Sequence, residues 1–139
     1  MAPEPDSSDE QVFDFDFEDR FKPLLRILGV APSTSRVVVG NGRLRAYFGP
    51  WTLDTPLDNI TCVQRTGPYK AHRAIGARGS FADSGVTFGS TTAGGLCVRF
   101  REPVPGLLPV AVATHPGATF TVKDPRALEE LLLELCELD

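Results

Sequence analysis

Long apolar runs are missing from this chain: nothing in its 139 residues approaches the roughly 20 consecutive apolar positions of a membrane-spanning helix, so a transmembrane protein is not expected. The N-terminal MAPEPDSSDEQ also lacks the basic start and apolar stretch of a secretory signal, which points to the cytoplasm. Cysteine is sparse. Cys62, Cys97 and Cys136 lie far apart and form no CxxC pair, which argues against zinc-site and disulfide patterns and predicts buried thiols in a reducing compartment. With only two histidines, His72 and His115, and no GxSxG elbow beside either, no catalytic residue, metal or cofactor is assigned.

Basic residues are absent from positions 1–19, which hold eight acids between Glu4 and Asp19. All 14 Lys and Arg therefore fall in residues 20–139, against ten of the 18 acids, so the formal charge of -4 conceals a mildly basic body behind an acidic leader. Such a field is weak and forms no basic stripe, and nucleic acid is not an expected partner. What the chain does have is a hydrophobic content of 42% at single-domain length, enough for one contiguous core.

Residues 1–11 are rich in Pro, Ser and acids and read as a disordered tail, leaving 12–139 as a single domain. Phe13, Phe15 and Phe17 alternate with Asp14 and Asp16, the period of a strand with its rings on one face. Asp14, Asp16, Glu18 and Asp19 read as the wet face of that edge strand, since the glycine and terminal Glu of a calcium loop are absent. Phe21, Leu24, Leu25 and Leu28 then recur at helical spacing, with Pro23 in the first turn and Gly29 at the stop, which predicts a short amphipathic helix over 19–28.

Asn41-Gly42 between two β-prone runs predicts a type I′ hairpin that turns Leu44, Ala46 and Phe48 to one face. Further strands are expected at 51–53, 60–65, 80–82, 86–88, 96–101 and 118–122. The segment 89–95 reads as a strand connection with local hydrogen bonds only, because the Lys and the helix of a phosphate loop are missing. Four prolines within 102–117 predict an ordered loop there rather than a regular strand. At the C-terminus Asp124 caps and Pro125 opens a helix that runs from about 126 to 138. Leu128, Leu131, Leu132, Leu135 and Leu138 line one face of it, and Glu129, Glu130, Glu134 and Glu137 are left to solvent.

Two loops are candidate surfaces. Lys70, His72, Arg73 and Arg78, within 66–79, read as an anion or partner site, as a plain solvated loop, or as a basic loop masked by the acidic leader. Trp51, with Val104, Leu107, Leu108, Val110 and Val112 of the proline-rich loop, reads either as an apolar patch for a partner or membrane interface or as a lid over one sheet.

The Asn-Gly hairpin continuing as RLRAYFGPWTLDTPLDNITCVQ, the regularly spaced short strands and the terminal DPRALEELLLEL helix together resemble the bacterial pleckstrin-homology-like domains. The whole is similar to conserved actinobacterial proteins of that kind. The resemblance covers about 34–139 and implies a mainly β (α+β) fold. Its plan is an antiparallel bent barrel or two packed sheets, with a C-terminal amphipathic helix plugging an opening between them and the N-terminal helix as an addition. It also implies a scaffold for binding lipids, peptides or proteins. The leading expectation is a non-enzymatic binding or adaptor module that engages a protein or an anionic lipid surface, peripheral at the membrane in the latter case. Two others stand beside it: a small enzyme or small-molecule carrier with a pocket between the sheets near His72 or His115, and a homodimerising structural protein. A pocket that holds a histidine beside a carboxylate favours the enzyme or carrier, whereas a filled core with an exposed apolar patch favours the binding module.

Overall fold

The computed structural model describes residues 10–67, 76–79, 86–105 and 114–136, with 76–79 as backbone alone. Its first sheet is built on the Asn-Gly hairpin, where Asn41 and Gly42 have φ of 56 and 76, the double positive φ of a type I′ turn. The turn joins β2 (Ser35–Gly40) to β3 (Arg43–Phe48), whose Leu44, Ala46 and Phe48 are buried while Arg43, Arg45 and Tyr47 point outward. The chain returns as β4 (Trp51–Pro56) through Gly49. There φ is 59 and a Cβ would lie 2.7 Å from the Gly29 carbonyl oxygen, so only glycine fits.

β1 (Gln11–Asp14) adds to the far side of β2 and completes an antiparallel sheet in the order β1-β2-β3-β4. Two residues of the expected tail, Glu10 and Gln11, make defined contacts. Gln11 pairs with Val39, and the Glu10 carboxylate accepts from the Asn41 amide at 3.2 Å and pairs with Arg45. Phe13, Phe15 and Phe17 all turn to the core, as their spacing predicts.

The second sheet holds β5 (Ile60–Thr66), β6 (Gly76–Gly79), β7 (Val86–Gly89), β8 (Gly95–Pro105) and β9 (Thr114–Phe120) in the order β5-β8-β9-β7-β6. It corrects three expectations. The partner of β7 is 76–79 rather than 80–82, with Gly79 opposite Val86, so Arg78 sits on a strand instead of in a loop. The glycines of that strand carry no β signature in sequence. The β7–β9 pair is parallel, which makes the sheet mixed rather than wholly antiparallel. The proline-rich segment contributes regular strand at both ends. Pairing jumps from Arg99↔Gly117 to Val104↔His115, and Pro103 and Pro116 occupy that irregularity, where no ladder bond is interrupted.

A further bulge explains an exposed thiol. Between Ile60↔Phe100 and Cys62↔Arg99 the pairing shifts at Thr61, reversing which face each later residue takes. Val63 thus packs against the core, while Cys62 is exposed rather than buried as predicted; Cys97 and Cys136 are half-buried.

Both sheets share one core. Phe15, Phe48, Phe88 and Phe120 form a continuous ladder through it, with successive ring centroids 5.0, 5.5 and 5.9 Å apart. The sheets do not close into a barrel: among the described residues β4 pairs only with β3 and β5 only with β8. One seam is stitched by a Phe15↔Val122 bridge, with the Asp16 N–H donating to the Thr121 carbonyl and the Lys123 N–H to the Asp14 carbonyl, both at 2.9 Å. Elsewhere Asn59 ties the β4–β5 connection to β8, its amide donating to the Glu102 carbonyl at 3.0 Å and accepting from the Glu102 N–H at 2.8 Å.

Among the described residues two short α-helices accompany the sheets. α1 (Lys22–Ile27) follows a 3-10 turn at Asp19–Phe21, and α2 (Pro125–Leu135) packs across β5 and β8. Asp124 caps α2 by accepting the Ala127 N–H at 3.0 Å. Leu128 and Leu132 are fully buried, each stabilising the fold by about 1.5–3 kcal/mol. Glu129 is not left to solvent; it pairs with Arg65 at 3.0 Å. Leu138 and Glu137 lie outside the described residues. Among the described residues no helix is long and apolar enough to cross a membrane.

Candidate functional site

Most of the residues singled out in the sequence fall outside what the structure describes. Lys70, His72, Arg73, Leu107, Leu108, Val110 and Val112 lie there, and of Arg78 only the backbone is described. Trp51 is half-buried and packs against the core beside Phe48, and Val104, expected on an exposed patch, is buried on β8. His115 is buried on β9 opposite Val104 and lines none of the clefts set out below.

Among the described residues exposed large aliphatic side chains occur singly at Val12 and Leu135 and cluster at α1 and the residue after it. With 3.6 residues per turn, the side chains of α1 fall into rows at i, i+4. Phe21 and Leu25 face inward, with Leu25 fully buried. Leu24 and Leu28 form the next row and are 54% and 44% exposed. Pro23 and Ile27 follow, Ile27 being 82% exposed, and Lys22 and Arg26 make the last row. The expected stripe of Phe21, Leu24, Leu25 and Leu28 is therefore only partly a core face. Six residues make fewer than two turns, too few to seat both leucine rows against the sheets.

A groove of about 480 Å³ opens between α1 and the turn that follows it. Buried Val30 and half-buried Phe17 underlie it, Pro23 and Ile27 flank it on the helix side, Ala31 and Pro32 flank it on the turn side, and Lys22 and Arg26 bring positive charge to it. Lys22 already has a partner, Asp19 at 2.9 Å; Arg26 has no ion-pair partner among the described residues.

Both ends of this helix are tied down. At its root the Glu18 N–H donates to the Ser90 carbonyl at 3.1 Å, and one carboxylate oxygen of Glu18 accepts the Thr92 N–H and, at 2.8 Å each, the hydroxyls of Thr91 and Thr92. The other oxygen accepts Arg20 Nε at 2.9 Å. The Thr92 N–H and then its hydroxyl, with smaller help from Thr91 and Arg20, outweigh partial burial and hold the Glu18 carboxyl at about 2, against an ordinary 4.5. Ser90 adds a 2.7 Å hydrogen bond from its hydroxyl to the Asp16 carbonyl. The hydroxyls of 89–95 thus make long-range bonds beside a local one, the Ala93 N–H donating to the Thr91 hydroxyl at 3.2 Å, and Glu18 is a clamp rather than part of a wet strand face. At the other end Val30 is buried and donates its N–H to the Leu25 carbonyl at 2.8 Å, while the Gly29 backbone lies against Gly49.

Two other clefts differ in character. One, of about 340 Å³, runs past Asp54, Asp58, Asn59 and Glu102, with Asp54 already paired to Arg43 at 2.8 Å. The other, of about 430 Å³, lies at Gly42, Leu57, Asp58, Leu135 and Cys136. There the Cys136 thiol donates to the Leu57 carbonyl at 3.4 Å, and burial pushes its pKa up, the opposite of what a reactive cysteine needs. Among the described residues no group of three or more His, Cys, Asp or Glu is placed to hold a metal ion.

The α1 arrangement can bind: an aliphatic groove, an exposed aliphatic ridge and a cation held on a short, tethered helix. A signal for it was present in the sequence. Ile27 breaks the Phe21, Leu24, Leu25, Leu28 stripe, and an aliphatic residue off the stripe of so short a helix has no core position to occupy. The chain matches no protein-family model, no curated protein and no solved structure.

Proposed function

We propose that this protein is a non-enzymatic binding or adaptor module of pleckstrin-homology-like fold, and that it engages its partner through the exposed face and groove of α1. The observation that carries this reading is where the apolar surface lies. The interior between the sheets is filled by the phenylalanine ladder, whereas Ile27, at 82% exposure, borders a surface cleft of about 480 Å³. A mainly β pair of sheets with an amphipathic C-terminal helix seated on one of them supports the pleckstrin-homology-like part. The open seam and the parallel β7–β9 pair are departures from a closed antiparallel barrel.

Affinity capture from a native lysate and its membrane fraction tests this reading with three baits: the unaltered chain, Ile27→Asp, and Lys70→Glu/Arg73→Glu/Arg78→Glu. Loss of specific captured species with the first variant alone is the expected result. Capture sets that are identical for the unaltered chain and Ile27→Asp would remove α1 from the binding surface.

A further inference from the structure

Resting on α1 as the contact surface, we infer that its occupant is an acidic, aliphatic segment of a partner protein, which seats an aliphatic side chain in the groove and brings a carboxylate to Arg26. The volume of about 480 Å³ alone would admit a small molecule, since such sites commonly span roughly 300–1,000 Å³. The ridge beside it points to something larger. Leu24 and Leu28 extend the apolar surface past the groove, where a small ligand buried inside would leave them wet.

Charge then separates a protein segment from a lipid surface. An anionic leaflet attracts through the sum of nearby cations, about 1 kcal/mol for each Lys or Arg. At α1 two of the three cations, Arg20 and Lys22, are paired with Glu18 and Asp19, so the helix offers an anionic membrane one unpaired charge, a weak draw. Arg20 is engaged by Glu18 and lies 4.5 Å over the Phe21 ring, and Lys22 is engaged by Asp19, which leaves Arg26 as the cation of the groove without a described counter-charge. One unmatched guanidinium beside an aliphatic groove suits a single carboxylate flanked by aliphatic side chains.

The test uses a labelled 12-residue peptide, acetylated and amidated, with leucines at i, i+3, i+4 and i+7 and glutamates at the flanking positions, together with a twin carrying lysines for glutamates. Fluorescence anisotropy is titrated against the full chain and against Arg26→Glu and Ile27→Ser, both at exposed positions, with circular dichroism to confirm an intact fold. The acidic peptide should bind the unaltered chain about tenfold more tightly than its twin, Arg26→Glu should reverse that order, and Ile27→Ser should abolish both. A preference unchanged by Arg26→Glu, with binding still lost in Ile27→Ser, overturns the acidic occupant but leaves α1 as the contact surface. If neither peptide binds, the inference fails. In that case co-sedimentation with phosphatidylcholine–phosphatidylserine vesicles that Ile27→Ser abolishes would assign the face to lipid, and an Ile27-dependent dimer in sedimentation equilibrium would assign it to a second copy of the chain.

Discussion

α1 and α2 carry the same local signature, leucines at helical spacing with a proline in the first turn, yet they end in different environments. Leu128 and Leu132 of α2 are fully buried and Leu135 at its end is exposed, whereas on α1 only Leu25 is buried and Leu24, Ile27 and Leu28 are all exposed, Ile27 most of all. Length and support explain the contrast. α2 has 11 residues, about three turns, and lies across two strands, so positions on successive turns meet the same sheet. α1 has six, and helices below about 12 residues are marginal on their own, so it is held by its ends: Glu18 on the threonines of 91–92, and Gly29 and Val30 against the β3–β4 turn. An apolar face that the fold leaves uncovered contributes little to stability and is available to a partner. Leucine periodicity alone therefore cannot distinguish a helix whose apolar face is covered from one whose apolar face stays exposed.

The sharpest way to break this comparison is to truncate matched aliphatic residues and measure urea unfolding. Leu132→Ala and Leu25→Ala should each cost about 2–5 kcal/mol, because each empties a fully buried site. Ile27→Ser should shift unfolding by no more than about 0.5 kcal/mol. Equal losses at Ile27 and Leu132 would mean that α1 is a core helix after all.

A smaller effect isolates the tether. Glu18→Gln keeps the shape but removes a charge that accepts several hydrogen bonds, and should cost about 1.5–3 kcal/mol near neutral pH. Its pH dependence has a definite sign. The folded-state pKa of about 2 lies below the ordinary 4.5, so the contribution is full above about 4.5 and is lost as pH falls towards 2. The difference in unfolding free energy between the unaltered chain and Glu18→Gln should shrink through that window. A gap that persists at pH 2 would assign the loss to packing instead.

The smallest change concerns how α2 begins. Asp124→Ala removes the side-chain acceptor of the Ala127 N–H and should cost about 1 kcal/mol, leaving the binding proposed for α1 untouched. If this variant lowered affinity at α1, the two helices would be coupled and the division between them would be wrong.

The parts of this fold legible in the sequence are those set by neighbouring residues. Asn41-Gly42 specifies its turn because those two residues tolerate positive φ, the alternating phenylalanines of 13–17 specify a strand face, and Asp124-Pro125 specifies where α2 starts. The strand at 76–79 was hidden, since glycines carry no β pattern and its pairing with β7 spans the chain between them. Strand within the proline-rich segment was hidden as well, because only the bulge across from Gly117 and His115 shows where proline is tolerated. Of the candidate site, Ile27 off its stripe was the visible trace. The Glu18 clamp left none, for its hydroxyl partners stand more than 70 residues away.

What the sequence by itself determined is local: turn chemistry, helix capping and the period that assigns each side chain to a face. Only the tertiary structure decided which of those faces are covered. The bulge at Thr61 sent Cys62 outward, the two stitched sheets filled their interior with rings from both, and a six-residue helix tied at root and tail kept one leucine inside and three aliphatic side chains outside. The physical reason is that burial depends on what packs against a face, and that partner is distant in the chain.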